Sequence, residues 1–371
     1  MGKMNNEKHV RKEWKLWQKI LVVPAGIAGV VLLGFLIVLV TLTVTEYKPA
    51  DVEKLALNGR AAEELGEGDA FTIMTWNVGY GALGESADFF MDGGTHVSTA
   101  DKELVETNVK AIGDTIAELS PDIVYLQEVD LDSKRSHYMN EQEMLMEQLD
   151  GYQNTFACNY KVCYVPYPLP TIGKVECGIV TLSNYEVASA ERIALPCPFT
   201  YPMRLANLKR CLMVDRIPIK GSDKELILVN LHLEAYDDGE GKAAQTEMLR
   251  ELLQEEADKG NYVIAGGDFN QTFSGADNSK CPIVNEELWQ PGAVDESVFA
   301  DDWQFEMDTA TPSCRSLDQP YEGADQNSFQ YYLIDGFIVS SNIQVDSVKT
   351  QDLQFVNSDH NPVLMNVTLQ K

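Results

Sequence analysis

The 371-residue sequence is poor in positive charge and has no zinc-type cysteine spacing. Only 29 Lys and Arg stand against 57 Asp and Glu, for a formal net charge of −28. This balance repels polyanions at long range and counts against a nonspecific nucleic-acid binder that works by counterion release. The seven Cys form no CxxC pair, so their spacing predicts neither a zinc nor a redox site. Their odd number would leave at least one thiol unpaired outside the cytoplasm, and the pairing of the others stays open. Internal repeats and low-complexity tracts are also lacking.

One long stretch near the amino terminus contains no ionisable side chain. It covers residues 20–44, and as a helix it would span about 37 Å at roughly 1.5 Å per residue, enough to cross a bilayer. The apolar core of a cleaved signal peptide is shorter, about 7–15 residues, and ends at a small-residue site. An uncleaved single-pass anchor is therefore favoured over a signal peptide.

Basic residues precede this apolar stretch. They are Lys3, Lys8, Arg11, Lys12, Lys15 and Lys19. Because positive flanks stay on the cytoplasmic side, they predict a cytoplasmic tail over 1–19, a transmembrane helix over 20–44 and an extracellular remainder. Residues 45–68, which are acidic and rich in Ala, Glu and Gly, are interpreted as a stalk or short helix before a domain over 69–371.

Strand and helix patterns alternate in that domain. Val105, Val109, Ile112, Ile116 and Leu119 form one apolar stripe that Pro121 ends, which predicts a helix. A second stripe predicts a helix over about 244–253. Apolar runs predict strands over 71–76, 122–129, 226–231, 262–265, 331–339 and 363–369. The mixture favours a layered α/β protein with two sheets packed face to face and helices outside.

Six short polar clusters stand at the ends of apolar stretches. They are Trp76-Asn77, Gln127-Glu128, Asn230-Leu231-His232, Gly267-Asp268-Phe269-Asn270, Ile334-Asp335-Gly336 and Ser358-Asp359-His360. Carboxylate and amide oxygens suit a hard divalent cation, and two imidazoles can supply a proton-transfer pair. Hydrolysis of a phosphoester needs both, because the phosphoryl oxygens must be neutralised and the attacking water oriented.

In this order the clusters resemble the endonuclease/exonuclease/phosphatase superfamily, which includes DNase I-like nucleases, sphingomyelinases and inositol polyphosphate 5-phosphatases. The resemblance covers about residues 70–371. It implies a four-layer α/β/β/α sandwich (DNase I-like), here preceded by one transmembrane helix. It also implies that Glu128 and Asp359 are metal ligands and that Asn77 is a ligand or an outer contact. The implied cofactor is Mg²⁺, with Mn²⁺ as an alternative.

The resemblance further implies catalytic roles for four residues. Asp268 and Asn270 correspond to the pair that orients the attacking water and donates to a phosphoryl oxygen. His360 corresponds to the histidine that bonds the scissile phosphate or acts as a base. Asp335 is then the carboxylate that orients its ring.

Three further residues complete the predicted site. His232, which follows Asn230 and Leu231, resembles the general acid of the DNase I and sphingomyelinase branches. Arg210 and Arg315 are candidate phosphate contacts, since guanidinium groups bind phosphate through two hydrogen bonds.

Two departures weaken an inositol phosphatase interpretation. That branch usually has a Trp before its Gly-Asp-x-Asn motif and an Asp-Arg pair in the next motif. Here Ala265-Gly266 precedes Gly267, and Gly336 follows Asp335. Basic loops of the kind that grip DNA in abasic-site nucleases are not evident either.

The sequence leaves three functions open. The favoured one is a metal-dependent hydrolase that cleaves a lipid or small phosphodiester, or a phosphomonoester, by attack of activated water. The alternatives are an extracellular endonuclease and a non-catalytic binding module on the same fold. The predicted partners are a phosphoester substrate, with nucleic acid as an alternative to a lipid or small molecule, and the membrane; no protein partner is inferred.

Two local features bear on substrate and source. The Pro- and aromatic-rich stretches 160–170 and 196–202 predict loops or strand edges that form an apolar rim for a lipid head group or a base. Asn270-Gln271-Thr272 is also a glycosylation sequon. Because a glycan at Asn270 would block the predicted site, the sequon favours a bacterial host.

Overall fold

The computed structural model describes residues 15–61, 63–237 and 239–371. The chain divides into two compact units, and the second is Tyr47–Lys371. The first described element is helix α1 (Leu16–Val44). Its segment Ile20–Val44 is long and apolar enough to cross a membrane, a property that a signal sequence near the amino terminus would share. Most of the predicted cytoplasmic tail lies outside the described residues.

Two large mixed β-sheets form the second unit. In spatial order, sheet A consists of β1 (Val52–Lys54), β8 (Ser189–Ala194), β9 (Cys211–Lys220), β10 (Glu225–His232), β11 (Tyr262–Asp268), β17 (Asp335–Ser340) and β14 (Trp303–Glu306), and β3 (Leu65–Gly66) also pairs with β9. Sheet B consists of β18 (Ile343–Thr350), β19 (Val363–Leu369), β4 (Ala70–Asn77), β5 (Ile123–Asp130), β7 (Gly173–Ser183), β6 (Gln153–Val165) and β2 (Asn58–Gly59). Two small ribbons pair β12 (Gln271–Phe273) with β13 (Gly292–Val294) and β15 (Cys314–Arg315) with β16 (Tyr331–Tyr332).

The two large sheets pack face to face, and helices cover their outer faces. Phe71 and Tyr125 of sheet B share one buried cluster with Ile264 and Phe337 of sheet A. Helices α2 (Lys102–Leu119) and α3 (Glu141–Met146) pack on the outside of sheet B, and α4 (Glu240–Asp258) packs on the outside of sheet A. This order of layers confirms the predicted four-layer α/β/β/α sandwich.

Helix α2 follows directly from its sequence. Asp101 caps its first turn by accepting a hydrogen bond from the backbone N–H of Leu104 at 2.9 Å. The apolar stripe is buried against sheet B as far as Ile116, and Ser120 ends the helix in the left-handed region just before Pro121. The helix predicted from periodicity is therefore confirmed.

Two segments differ from their sequence-based predictions. Residues 45–68 were expected to form a stalk or short helix, but they contribute β1, β2 and β3 to the sheets. These strands are two or three residues long, and their partners β8, β6 and β9 lie far along the chain, so local periodicity carries no sign of them. The run 331–339 is divided between β16 and β17 because Ser313 Oγ accepts the backbone N–H groups of Ile334 and Asp335, both at 3.2 Å. The first half of the stretch 160–170 belongs to strand β6 and pairs with β7, while β2 pairs with β6 only at Gln153 and Asn154, so this half lies at a strand edge as predicted.

A buried carboxylate on α4 predicts how stability depends on pH. Burial raises the pKa of Glu256, but hydrogen bonds from Arg216, Lys259 and Asn261 outweigh burial and lower the pKa to about 2. A lowered folded-state pKa gives stability that is present above the unfolded pKa and is lost as the pH falls through the folded pKa. We therefore expect part of the free energy of unfolding to be lost between the ordinary value of 4.5 and about 2.

Glu256→Gln tests this expectation. It should lower the free energy of unfolding at pH 7 by about 1–2 kcal/mol and flatten its dependence on pH in that interval. The measurement is urea unfolding of the full-length chain in detergent micelles at several pH values. Glu251→Gln, an exposed position on the same helix, is the matched control and should change stability by less than about 0.5 kcal/mol. An unchanged acid profile in Glu256→Gln would contradict the assignment.

Candidate functional site

The ends of five strands bring the predicted residues together. Parallel pairing of β4 with β5 places Asn77 opposite Gln127, directly before Glu128. Parallel pairing of β10 with β11 places His232 opposite Asp268, and antiparallel pairing of β11 with β17 places Asp268 opposite Asp335. The register of sheet A thus sets three of the predicted side chains side by side.

Two backbone features maintain this arrangement. Gly267 has a φ of +148°, and a Cβ atom there would lie 1.9 Å from the carbonyl oxygen of Leu231. Only glycine therefore allows β10 and β11 to approach at this point. Glu128 has a φ of +57° at an irregularity in the pairing of β5 with β7. A non-glycine residue in the left-handed region costs about 1–2 kcal/mol, and such strain is concentrated at functional sites.

The side-chain amide of Asn77 joins the two sheets. Its Nδ2 donates to Glu128 Oε1 at 3.2 Å and to Asp268 Oδ2 at 3.0 Å. Its Oδ1 accepts from the backbone N–H of Gly79 at 3.1 Å. Because Glu128 belongs to sheet B and Asp268 to sheet A, this one amide fixes the position of both carboxylates.

Asp268 lies between two imidazole rings. Its Oδ2 is 3.5 Å from His232 Nε2 and 3.8 Å from His360 Nε2. The other ring nitrogen of His360, Nδ1, is 2.8 Å from Asp335 Oδ2. Burial, together with the nearby charge of Asp335, raises the pKa of Asp268. A carboxyl group with a raised pKa is suited to taking a proton from water.

The two histidines have opposite electrostatic environments. Burial lowers the pKa of His232 well below its ordinary value, and the charge of Arg210 lowers it further. Burial also acts to lower the pKa of His360, but the charges of Asp335 and Cys314 and the hydrogen bonds with them together outweigh burial and raise the pKa well above its ordinary value. The surroundings of His232 therefore favour its neutral ring, and those of His360 favour its charged ring.

Glu128 and Asp359, the two carboxylates predicted to bind a cation, interact electrostatically. Burial raises the pKa of Asp359 to about 6, and the charge of nearby Glu128 contributes to the increase. Ser358 Oγ donates to the backbone carbonyl of Asn77 at 2.7 Å and so joins the segment with Asp359 to β4. Carboxylate oxygens are the ligands that Mg²⁺ prefers. Asn77 Oδ1 already accepts a hydrogen bond from Gly79, so its geometry fits an outer contact better than a direct ligand.

A cavity of about 360 Å³ collects these groups. Asp335, which binds His360, is the one predicted site residue that does not line it. The predicted residues that do line it are Asn77, Glu128, Arg210, His232, Asp268, Asn270, Arg315, Asp359 and His360. The remaining wall is mainly apolar and aromatic and includes Tyr80, Phe89, Phe199, Trp289 and Tyr332. The cavity therefore combines a polar floor with an apolar wall.

The two predicted arginines line the cavity but also support its walls. Arg210 donates to the backbone carbonyl of His232 at 3.1 Å and to Glu234 at 3.4 Å. Arg315 donates to the carbonyls of Ser316 at 2.9 Å and Gly84 at 2.8 Å. Some of their N–H groups already have acceptors in the protein, whereas Arg315 Nε has none among the described residues. The predicted phosphate contacts stay predictions.

Asn270 is a buried residue of the cavity lining and is not exposed on the outer surface. Its Nδ2 donates to the carbonyl of Leu233 at 2.9 Å, and its backbone N–H donates to Asp268 Oδ1 at 2.8 Å. A glycan on this side chain would require the site to open.

Several cavity residues had no signal in the sequence. Arg135 binds Asp130 through two hydrogen bonds of 3.0 and 2.9 Å, and its guanidinium carbon lies 3.6 Å from the centre of the Tyr80 ring. Tyr236 donates to Asp92 at 2.8 Å. Tyr236 and Asp92 are 144 positions apart, so only the folded chain joins them.

Comparison with known proteins gives one family and a consistent fold. The model of the Endonuclease/Exonuclease/phosphatase family matches residues 74–360. No curated protein sequence matches the chain significantly.

Two solved structures illustrate the likeness of fold. A structure described as an endonuclease/exonuclease/phosphatase from Beutenbergia cavernae DSM 12333 has 16% identity and a TM-score of 0.55, over 81% of this chain and 72% of that one. A structure of ANGEL2, described as a 2′,3′-cyclic phosphatase, has 15% identity and a TM-score of 0.51, over 86% of this chain and 99% of that one. At such low identity the likeness concerns the fold alone.

A buried amide directly behind the site predicts a loss of stability. Asn230 Nδ2 donates to the carbonyl of Val180 at 2.8 Å, and Asn230 Oδ1 accepts from Gln127 at 2.9 Å, so this amide also connects the sheets. Asn230→Ala leaves both buried partners unsatisfied, and we expect the free energy of unfolding to fall by about 2–4 kcal/mol. Urea unfolding measures it. Asn366→Ala, an exposed control, should cost less than about 1 kcal/mol, and equal effects of the two substitutions would contradict the role of Asn230.

Proposed function

The chain belongs to the endonuclease/exonuclease/phosphatase family, whose members hydrolyse phosphoester bonds, and on that premise we propose that it is a metal-dependent phosphoesterase. The observation that carries the proposal is the convergence of Asn77, Glu128, His232, Asp268, Asp359 and His360 on one cavity. These residues come from distant parts of the chain. A polar set of this kind is costly to bury without a function.

The proposed reaction uses water as the nucleophile. Asp268, with its raised pKa, accepts a proton from that water. The charged ring of His360, oriented by Asp335, donates a hydrogen bond to a phosphoryl oxygen, and Asn270 donates a second one. His232 is the general acid for the leaving oxygen. Its lowered pKa rises when an anionic phosphate enters the cavity, because the negative charge favours the protonated ring.

Glu128 and Asp359 are proposed to hold the cation, with Mg²⁺ favoured and Mn²⁺ as an alternative. Asn77 orients Glu128 through its hydrogen bond of 3.2 Å. When bound there, the cation neutralises charge on the phosphoryl oxygens. This position is supported by burial and by the charge of Glu128, which raise the pKa of Asp359 to about 6.

The apolar wall supports an amphiphilic substrate such as a phospholipid. Phe199 and Met203, from the stretch 196–202 and the residue after it, line the same cavity as Glu128. Nearby, Tyr167 and Leu169 are 72% and 85% exposed, and Phe90 packs edge-on to Tyr167. Exposed apolar side chains beside a polar site suit the boundary between water and lipid.

Membrane anchoring fits the same proposal. We infer that residues 20–44 span the membrane and that the basic leader keeps the amino terminus inside the cell. The catalytic unit then lies on the outer face of the membrane. The glycosylation sequon at the buried Asn270 favours a bacterial source.

A substrate panel tests the activity. The full-length chain in detergent micelles is assayed on bis(p-nitrophenyl) phosphate and on phosphomonoesters with Mg²⁺, with Mn²⁺ and with EDTA. We expect hydrolysis that EDTA abolishes and that falls at least about 100-fold in Glu128→Gln and in His360→Ala. Glu255→Gln, an exposed glutamate, is the control for contaminating activity. Equal rates in all four proteins would end the proposal.

Vesicle assays test the substrate class. We expect phospholipid vesicles to be hydrolysed, and the double variant Tyr167→Ser/Leu169→Ser to lose roughly tenfold in rate on vesicles while soluble diester hydrolysis stays within about twofold. Val298→Ser, at a position 50% exposed and outside the cavity lining, is the control. Nicking of plasmid DNA with no action on vesicles would instead identify a nuclease.

A further inference from the structure

Cys314 lies among the residues of the proposed active site. It begins the short strand β15, forms a backbone bridge to His360 and lines the cavity. Its side chain is 6% exposed. The hydrolysis proposed above gives this thiol no role.

Three different ligand types converge at this point. Cys314 Sγ, one carboxylate oxygen of Asp359 and one ring nitrogen of His360 all lie within 4.8 Å of one another, and all three residues are buried. The chain spacing of 45 residues between Cys314 and Asp359 conceals the group from a search for metal-binding motifs. Thiolate, imidazole and carboxylate together are the ligands of zinc rather than of magnesium.

The geometry needs only a small adjustment to hold such an ion. Zinc bonds of about 2.0–2.3 Å place tetrahedral ligand atoms roughly 3.3–3.8 Å apart. Side-chain rotation can therefore close the group by about 1 Å. Asp335 binds Nδ1 of His360 at 2.8 Å, and so leaves Nε2 for a cation and fixes the ring. The open side of the group faces the cavity, where water can supply a fourth ligand.

We propose that Cys314, Asp359 and His360 form a site for a thiophilic divalent cation, such as Zn²⁺, that inhibits the enzyme. Coordination displaces the thiol proton of Cys314 and the Nε2 proton of His360, both of which pass to the buffer, and it engages two residues that the hydrolysis requires. The hard ion Mg²⁺ has little affinity for sulfur and does not compensate for the loss of His360. The inhibitory effect rests on the proposed function, whereas the binding of the cation does not.

Cadmium binding tests the site without reference to activity. Cd²⁺ is titrated into the full-length, metal-free chain in detergent micelles, and the ultraviolet absorption of the cadmium–thiolate bond is recorded. We expect a saturable band in the wild type and a decrease in affinity of at least about tenfold in Cys314→Ser. Cys163→Ser and Cys197→Ser, which alter exposed cysteines, are matched controls and should keep the high-affinity band. Its persistence in Cys314→Ser would overturn the proposal.

A second variant covers the case in which Cys314→Ser does not fold. Asp359→Asn keeps the thiol but removes the carboxylate, so the band should remain and require at least about tenfold more Cd²⁺. Near-ultraviolet circular dichroism checks the fold of each variant. An unchanged Cd²⁺ affinity in Asp359→Asn would also overturn the proposal.

Inhibition is measured with Zn²⁺ on bis(p-nitrophenyl) phosphate hydrolysis at saturating Mg²⁺. Cys314→Ser, referred to its own rate without zinc, should raise the half-inhibitory Zn²⁺ concentration at least about tenfold. If this concentration is unchanged, the inhibitory role is wrong. If no protein hydrolyses the diester but Cd²⁺ binding still depends on Cys314, the proposed hydrolase function fails and the cation site stands.

Discussion

The hydrogen bonds of the Asn77 amide are the constraint on which the site depends. One NH₂ group binds a carboxylate on each of the two sheets, Glu128 on one and Asp268 on the other. Apolar contacts also hold the sheets together, and such contacts have no preferred direction and allow small displacements. Hydrogen bonds have strict distance and angle requirements, and those of Asn77 set the relation between the cation region and the residues that handle protons. Asn230 and Gln127 form a similar connection deeper between the sheets.

Burial then gives chemically similar groups different roles. His232 and His360 are both almost inaccessible to water, but only His360 has a carboxylate on its second nitrogen. The pKa of one ring falls and the pKa of the other rises for this reason. Two neighbouring imidazoles that were both charged would repel each other, and two that were both neutral would leave Asp335 without a counter-charge. The two imidazole rings are chemically identical, but their surroundings give them different pKa values.

The sequence predicted the helices, the strands and the polar residues at the strand ends better than it predicted which distant segments of the chain contact one another. Helix α2 and strands such as β11 have periodic or continuous apolar patterns that depend on residues close in the chain, and the structure contains them. Polar residues at the ends of those strands also meet at one cavity, because the register of a sheet carries strand ends to a common edge. Cys314 and Arg135 could not be placed, since each joins the cavity through a loop or a very short strand. The strands within 45–68 were missed for the same reason: their pairing partners, and not their own composition, make them strands.

The positions of Asp268 and His232 depend on the absence of a Cβ atom at Gly267. Its hydrogen leaves room for the Leu231 carbonyl, and the next residue on each strand is Asp268 or His232. Side chains elsewhere in a protein offer a graded series of sizes through which evolution can adjust a distance by tenths of an ångström. At position 267 only glycine fits, since the Cβ atom of alanine would already collide with the neighbouring backbone. The gap between carboxylate and imidazole is thus not adjustable at this residue, and any tuning of it must come from elsewhere along the two strands.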